Sequence, residues 1–222
     1  MAEKIGFVGV GRMGSNMARR LKDARRIAGV ILHINSPGGS ALASDLMWKA
    51  IDDLRSVKPV VAYCTDVVGS GGYYLAVAAD EIICRPETIT GSIGVVMGKI
   101  ALGEAAQRHG VHADAVGGDD GGEFLSPTAP LPERLLENAR IDARSFYRRF
   151  LQRVGQSRQL SKRRLHRYAR GRIYLAEQAL QRGLIDEISD FEGAVQAVRE
   201  RCAGLGMPLP EDPELHFVAH RK

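Results

Sequence analysis

The chain has no long uncharged apolar run. Its best candidate, residues 57–68, is cut by Lys58, Pro59 and Asp66, so no membrane-crossing helix is expected. Cysteine is scarce as well. Cys64, Cys84 and Cys202 are too few and too scattered for a disulfide framework or a zinc site, which leaves reduced thiols and no expected metal. A secretory pattern is missing from the opening "MAEKIGFVGVGRMGSN", whose short apolar segment is broken by glycines and Arg12. Together these absences point to a chain that is cytoplasmic or peripheral at a membrane surface. No internal repeat stands out.

What is present is ordinary in bulk and uneven in detail. Apolar residues make up 45% and charged ones 26% of 222 residues, enough for one substantial domain with a buried core. The net charge of +5 is concentrated, with arginines crowding residues 140–172. Such a run suits nucleic acid or an anionic membrane. However, Phe146, Tyr147, Phe150, Leu151 and Val154 recur at helical spacing between the arginines, which favours the solvated face of an amphipathic helix. With no base-reading motif beside it, nucleic acid is not an expected partner.

Strand-like and helix-like runs alternate, the mark of an α/β architecture. "KIGFVGV" reads as a strand and "MGSNMARRLKDA" as a helix. "IAGVILHI" is a strand ending in the turn cluster "NSPGGS". "SALASDLMWKAIDDLR" is a helix with Leu42, Leu46, Met47, Ala50, Ile51 and Leu54 on one side. "PVVAYCTDVV" is a buried strand, "GGYYLAVAA" a short apolar helix, and "EIICRPETITGSIGVV" two short strands around a proline turn. Residues 131–201 read as helical, broken at Gly155, Gly171 and Gly183. The Pro-rich residues 206–222 read as an extended tail.

Two glycine motifs are candidates for chemistry. "GVGRMG", residues 9–14, fits G-x-G-x-x-G between a strand and a helix. Residues 1–24 resemble the opening of the 3-hydroxyisobutyrate dehydrogenase group, as a fusion or a substitute first strand. The next strand, however, ends in Asn35 rather than an acid for a ribose hydroxyl, so the motif reads better as a plain βα turn, and no cofactor is expected. "GSGG", residues 69–72, flanks Ser70 with glycines at a helix start. A serine there is either a small packing residue or a nucleophile on a tight turn. The free N–H groups and positive dipole of a helix start suit an oxyanion, which makes the Gly71 amide one donor. "SPGG" supplies another, Gly39 in preference to Gly38.

Five ordered segments decide between these readings of Ser70: "GVILHINSPGGS", "KPVVAYCTDVVGSGGYYLAVAADEI", "PETITGSIGVV", "LSP", and "ARGRIYLAEQALQRGLIDEI". They resemble the signal peptide peptidase A family, Ser-Lys peptidases of the Clp/crotonase fold, over residues 25–205. The resemblance implies a twisted sheet with flanking helices and a helical C-terminal arm. It also implies cleavage of hydrophobic or signal-derived peptides, with Ser70 as nucleophile and Gly39 and Gly71 as oxyanion donors. Gly38, Tyr73, Tyr74, Ser92 and Val95 become candidates for the substrate groove. Family members assemble into rings, so a homo-oligomer is expected.

The base is where the chain departs from the family. The position corresponding to its lysine is Gly122, and no lysine occurs between Ile100 and Ser161. The chain thus resembles the serine-bearing C-terminal half of the tandem members, whose lysine comes from the other half. A partner subunit supplying it in trans is one expectation. Recruitment of Lys99 is another, and a pseudopeptidase that only binds peptide or assists assembly is a third.

Overall fold

The computed structural model describes residues 4–9, 21, 24, 26–112, 124 and 126–218, with the backbone alone for 4–9 and 217–218. Most of the G-x-G-x-x-G motif and Gly122 lie outside the described residues. The chain divides into two compact units, Met1–Gly94 with Phe150–Lys222, and Val95–Arg149.

The first unit is built on an eight-stranded sheet. Its strands are β1 (Lys4–Gly9), β2 (Ile27–Ser36), β3 (Val60–Gly69), β4 (Glu81–Cys84), β5 (Ile89–Gly91), β6 (Ile173–Leu175), β7 (Glu187–Ile188) and β8 (Glu214–Val218). The order is β6-β5-β3-β2-β1-β8, with β4 between β3 and β7. All pairings are parallel except β5 with β6. In β2, Val30, Ile31, Leu32 and Ile34 are all buried, and in β3 so are Val60, Val61, Ala62 and Cys64. Burial of successive rather than alternate residues means that both sheet faces are covered, as parallel strands require.

One edge of β3 serves two partners in turn. Val61 to Cys64 pair with β4, and Val67 to Gly69 pair with β5. The change of partner coincides with a break in register on the other edge, where Ile34 faces Cys64 but Ser36 faces Val68. Asn35 staples the break, donating to Asp66 at 2.6 Å and accepting from the Val67 N–H at 3.3 Å. The sheet therefore curls just before Gly69, aiming the chain at the turn that carries Ser70.

The helices of this unit cover the sheet. They are α1 (Ala41–Arg55), α2 (Gly71–Ala76), the C-terminal part of α4 (Glu133–Ser157), α5 (Lys162–Tyr168), α6 (Ala176–Gln181) and α7 (Phe191–Gly204). The second unit contains α3 (Gly103–Arg108) and the start of α4. Asp190 caps α7 through the Gly193 N–H, and Ala194, Ala197, Val198 and Cys202 pack on Ile31, Val61 and Ile83. Each such large aliphatic contributes about 1.5–3 kcal/mol when fully buried.

The expected apolar side of α1 differs from the observed one. Ser44, Trp48, Ala50, Ile51 and Leu54 are buried, whereas Leu42 and Leu46 stand 62% and 57% exposed. The bulky Trp48, with the Arg153 guanidinium 3.4 Å from its ring centroid, sets the inward face. Gly155 does not break α4, which runs on to Ser157, and the C-terminal third also holds the two short strands β6 and β7. The C-terminal stretch joins the sheet as β8 beside β1.

Contact between α2 and β2 is close enough to forbid side chains. A Cβ on Gly72 would lie 2.4 Å from the Ser36 carbonyl oxygen. Gly72→Ala is therefore expected to cost about 1–3 kcal/mol. The check is urea unfolding, in which the midpoint should fall with little change of slope.

Candidate active site

Ser70 occupies the single residue between β3 and α2. Its φ of 50° and ψ of −117° lie in a region that costs non-glycine residues of order 1–3 kcal/mol. Hydrogen bonds on both sides hold it there. The Ser70 N–H donates to Gly91 O at 3.0 Å, and the Tyr74 N–H donates to Ser70 O at 2.9 Å. The residue is half-buried. Its hydroxyl does not cap α2 and makes no hydrogen bond among the described residues.

The "SPGG" turn packs directly on this elbow. Gly38 has φ 111°, and a Cβ there would sit 2.8 Å from both the Gly71 nitrogen and the Ser70 Cβ. A Cβ built on Gly71 would lie 3.3 Å from the Gly39 nitrogen. The Gly38 N–H is already engaged, donating to Ser36 Oγ at 3.2 Å. The Gly39 N–H has no partner among the described residues. The Gly71 N–H, at the first turn of α2, has no acceptor within its own helix. The Ser70 hydroxyl and the Gly39 and Gly71 amides, none with a partner among the described residues, thus lie on two turns packed against each other.

Ser92 lies next to this spot. It also has a left-handed φ, 48°, and its Cβ is 3.5 Å from where a Cβ on Gly69 would be. Its N–H donates to Arg172 O at 2.7 Å.

The tyrosines read as groove residues are placed otherwise. Tyr73 is 0% exposed and donates its hydroxyl to Leu184 O at 2.6 Å, so it is a core residue unavailable to an open groove. Burial drives its hydroxyl pKa well up. Tyr74 is also buried, with its ring centroid 4.9 Å from that of Phe150. Burial, then its hydrogen bond to Asp45, raises its pKa to about 12. The physical reason is the short α2, whose inner side turns both rings into the molecule. Val95 is half-buried and belongs to the second unit.

Among the described lysines of the first unit, Lys49 pairs with Asp53, and Lys58 donates to the carbonyls of Leu21 and Ala24 at 2.7 and 2.6 Å. His33, its pKa lowered by burial against the opposing pull of Asp66, bonds Thr65 at 3.0 Å. Two supporting serines escaped the sequence reading. Ser36 engages the Gly38 amide. The buried Ser44 donates to Ser40 O at 2.9 Å, and its Oγ lies 2.5 Å from where a Gly71 Cβ would be. Ser36 was visible in the turn cluster "NSPGGS" and Ser44 in the helix that follows, but nothing in the pattern tells a supporting hydroxyl from a solvated one.

The model of peptidase family S49 matches residues 52–205. The chain is 35% identical to Protease 4 of Haemophilus influenzae over 84% of its own length and 30% of that protein. It is 34% identical to the chloroplastic serine protease SPPA of Arabidopsis thaliana over 83% of its length and 27% of that protein. It thus spans less than a third of each of these relatives. Among solved structures, an Asn-to-Asp variant of ClpP1 from Listeria monocytogenes superposes with TM-score 0.56 at 15% identity, covering 87% of this chain and 95% of that one. A Ser-to-Ala variant of the 1510-N membrane-bound stomatin-specific protease gives 0.62 at 14% identity, covering 100% of both chains. The fold is Clp/crotonase-like, and by the span of its family match the chain belongs to peptidase family S49.

Proposed function

We propose that this chain is the nucleophile-bearing part of a serine peptidase that cleaves hydrophobic or signal-derived peptides, with its general base supplied in trans. The observation that carries the reading is the packing of the strained Ser70, whose hydroxyl has no partner among the described residues, against the turn that holds Gly39, with Gly71 beside it. Ser70 Oγ attacks the scissile carbonyl carbon while the base takes its proton. The oxyanion rests on the two N–H groups, a kind of contact worth on the order of 10²–10³ in rate for each donor. Collapse of the adduct expels the amine, which receives the proton, and water then releases the acyl group from Ser70 by the same route.

A base in trans is supported by the lack of lysine between Ile100 and Ser161 and by the engagement of Lys49 and Lys58 elsewhere. Assembly with a second copy or with a lysine-bearing partner follows from the same need. A lysine serves as base only where desolvation lowers its pKa, so the contact must bury it. A second reading, a peptide-binding or assembly subunit without turnover, is favoured by Gly122 at the position where the family carries lysine.

A fluorophosphonate probe separates the two. Labelling of Ser70, read by peptide mass spectrometry and increased by adding a lysine-bearing family half, supports the peptidase. Absence of labelling under both conditions supports the binder.

A further inference from the structure

Residues 162–172 contain Lys162, Arg163, Arg164, His166, Arg167, Arg170 and Arg172, all exposed, and no acidic residue. Arg163, Arg164, Arg167 and Arg170 form no ion pair among the described residues. The segment is nevertheless well anchored. Ser161 caps α5 by accepting from the Arg164 N–H, and Leu165 and Ala169 are 5% and 0% exposed. Arg182 lies 4.8 Å over the Tyr174 ring that follows it. The ribbon is a fixed field of positive charge, not a loose tail.

Its far end is tied to the site. Arg170 and Gly171 adopt successive left-handed conformations, φ 64° and 71°. This turn sets the Gly171 N–H on Ile93 O at 3.0 Å and Arg172 O under the Ser92 N–H at 2.7 Å. One residue earlier, Gly91 O accepts the N–H of Ser70. Gly171 and Arg172 therefore belong to the backbone ladder that runs through Ser92 and Gly91 to Ser70, with Arg170 next to it in the chain and the Arg172 guanidinium donating to Arg167 O. A non-glycine residue in the left-handed region is uncommon, and here its guanidinium is exposed and makes no ion pair among the described residues.

We propose that this arginine ribbon forms one rim of the Ser70 site and selects peptides with acidic side chains flanking the scissile bond. The inference rests on the peptidase reading above and specifies its substrate class. Peptides with basic ends are disfavoured by the same field, so among signal-derived peptides the hydrophobic fragments that have lost their basic end are favoured. Charges lining one side of a cleft concentrate oppositely charged ligands and raise their association rate by 10- to 10³-fold, an effect that fades as salt shortens the Debye length. An anionic bilayer is the competing occupant, since Ile173 and Leu175 stand 64% and 51% exposed beside the ribbon. The backbone ties to Ser92 and Ile93 favour a ligand that enters the site.

The test uses three labelled peptides with one Leu/Ala centre and glutamate, serine or lysine flanks. Their binding to the full-length Ser70→Ala chain is read by fluorescence anisotropy at low and high salt. The glutamate peptide is expected to bind at least tenfold tighter than the lysine peptide at low salt, with the contrast shrinking as salt rises. R170Q/R172Q should reduce that contrast severalfold. R144Q/R148Q, which removes the same charge from exposed positions on α4, should leave it in place. Equal binding of the three peptides, or a contrast insensitive to R170Q/R172Q, overturns the proposal. So does loss of binding to anionic phosphatidylglycerol vesicles in R170Q/R172Q without any peptide contrast, which assigns the ribbon to a membrane. Hydrolysis by the chain carrying Ser70 is scored separately. Turnover without a charge preference sinks this proposal alone, whereas a binding contrast without turnover, with or without a lysine-bearing half, sinks the peptidase reading alone.

Discussion

Ser70→Ala is expected to lower peptide turnover by about 10⁴-fold or more, measured as kcat with the base-bearing partner present. In the proposed mechanism this hydroxyl forms the covalent bond, and alanine offers no oxygen to replace it. The same change should leave the fold nearly as stable. The Ser70 hydroxyl makes no hydrogen bond among the described residues, and alanine meets the same backbone strain at φ 50° as serine does. Thermal unfolding should therefore shift by only a few degrees while activity disappears. Turnover equal to that of the unaltered chain would move the chemistry away from the β3–α2 turn.

Arg158→Ala should have the opposite profile, a large loss of stability from a residue with no part in the chemistry. Its guanidinium clasps both Asp186 carboxylate oxygens, at 2.7 and 2.6 Å, and donates to Gly183 O at 2.9 Å. Asp186 in turn accepts from the Ile82 N–H at 2.8 Å and donates its own N–H to Ile82 O. The pair thus fastens the chain after α4 to the turn after α6 and to β4. The arginine side chain is 10% exposed and the aspartate 34%. Removing one partner of a buried pair costs about 3–5 kcal/mol, and the partial exposure of Asp186 puts this case at the lower end. A fall in melting temperature of about 10 °C should follow. Arg158→Met with Asp186→Asn should cost less than the sum of the two single changes, because neither partner is then left as an uncompensated charge. Simple additivity would show that the clasp contributes little.

Much of this architecture was legible in the residues. The apolar runs "GVILHI" and "VVAYC" announced two central strands, and "EIIC" and "TITG" two more, because strands covered on both faces need continuous apolar sequence. The Ser70 elbow was legible too, since glycines on both sides of one serine between a strand and a helix leave few alternatives. What stayed hidden was direction. Tyr73 and Tyr74 follow the serine in sequence, yet both are buried on a six-residue helix. Leu42 and Leu46 matched a helical apolar pattern, but the larger Trp48 claimed the core. β6 and β7, three and two residues long, are shorter than any period that composition can display. The basic run at 162–172 was visible as charge, whereas its hydrogen bonds to Ser92 and Ile93 are a matter of tertiary pairing.

The parallel β1–β8 pair has a consequence for how the chain assembles during synthesis. β2, β3, β4 and β5 lie within one continuous stretch and can meet soon after they emerge from the ribosome. β1 precedes them in the sequence, yet one of its two neighbours is β8 (Glu214–Val218), which follows all the other strands of the sheet. Until that last strand arrives, β1 exposes a bare row of amides and carbonyls, and any protein that guards nascent sheets has its longest task there.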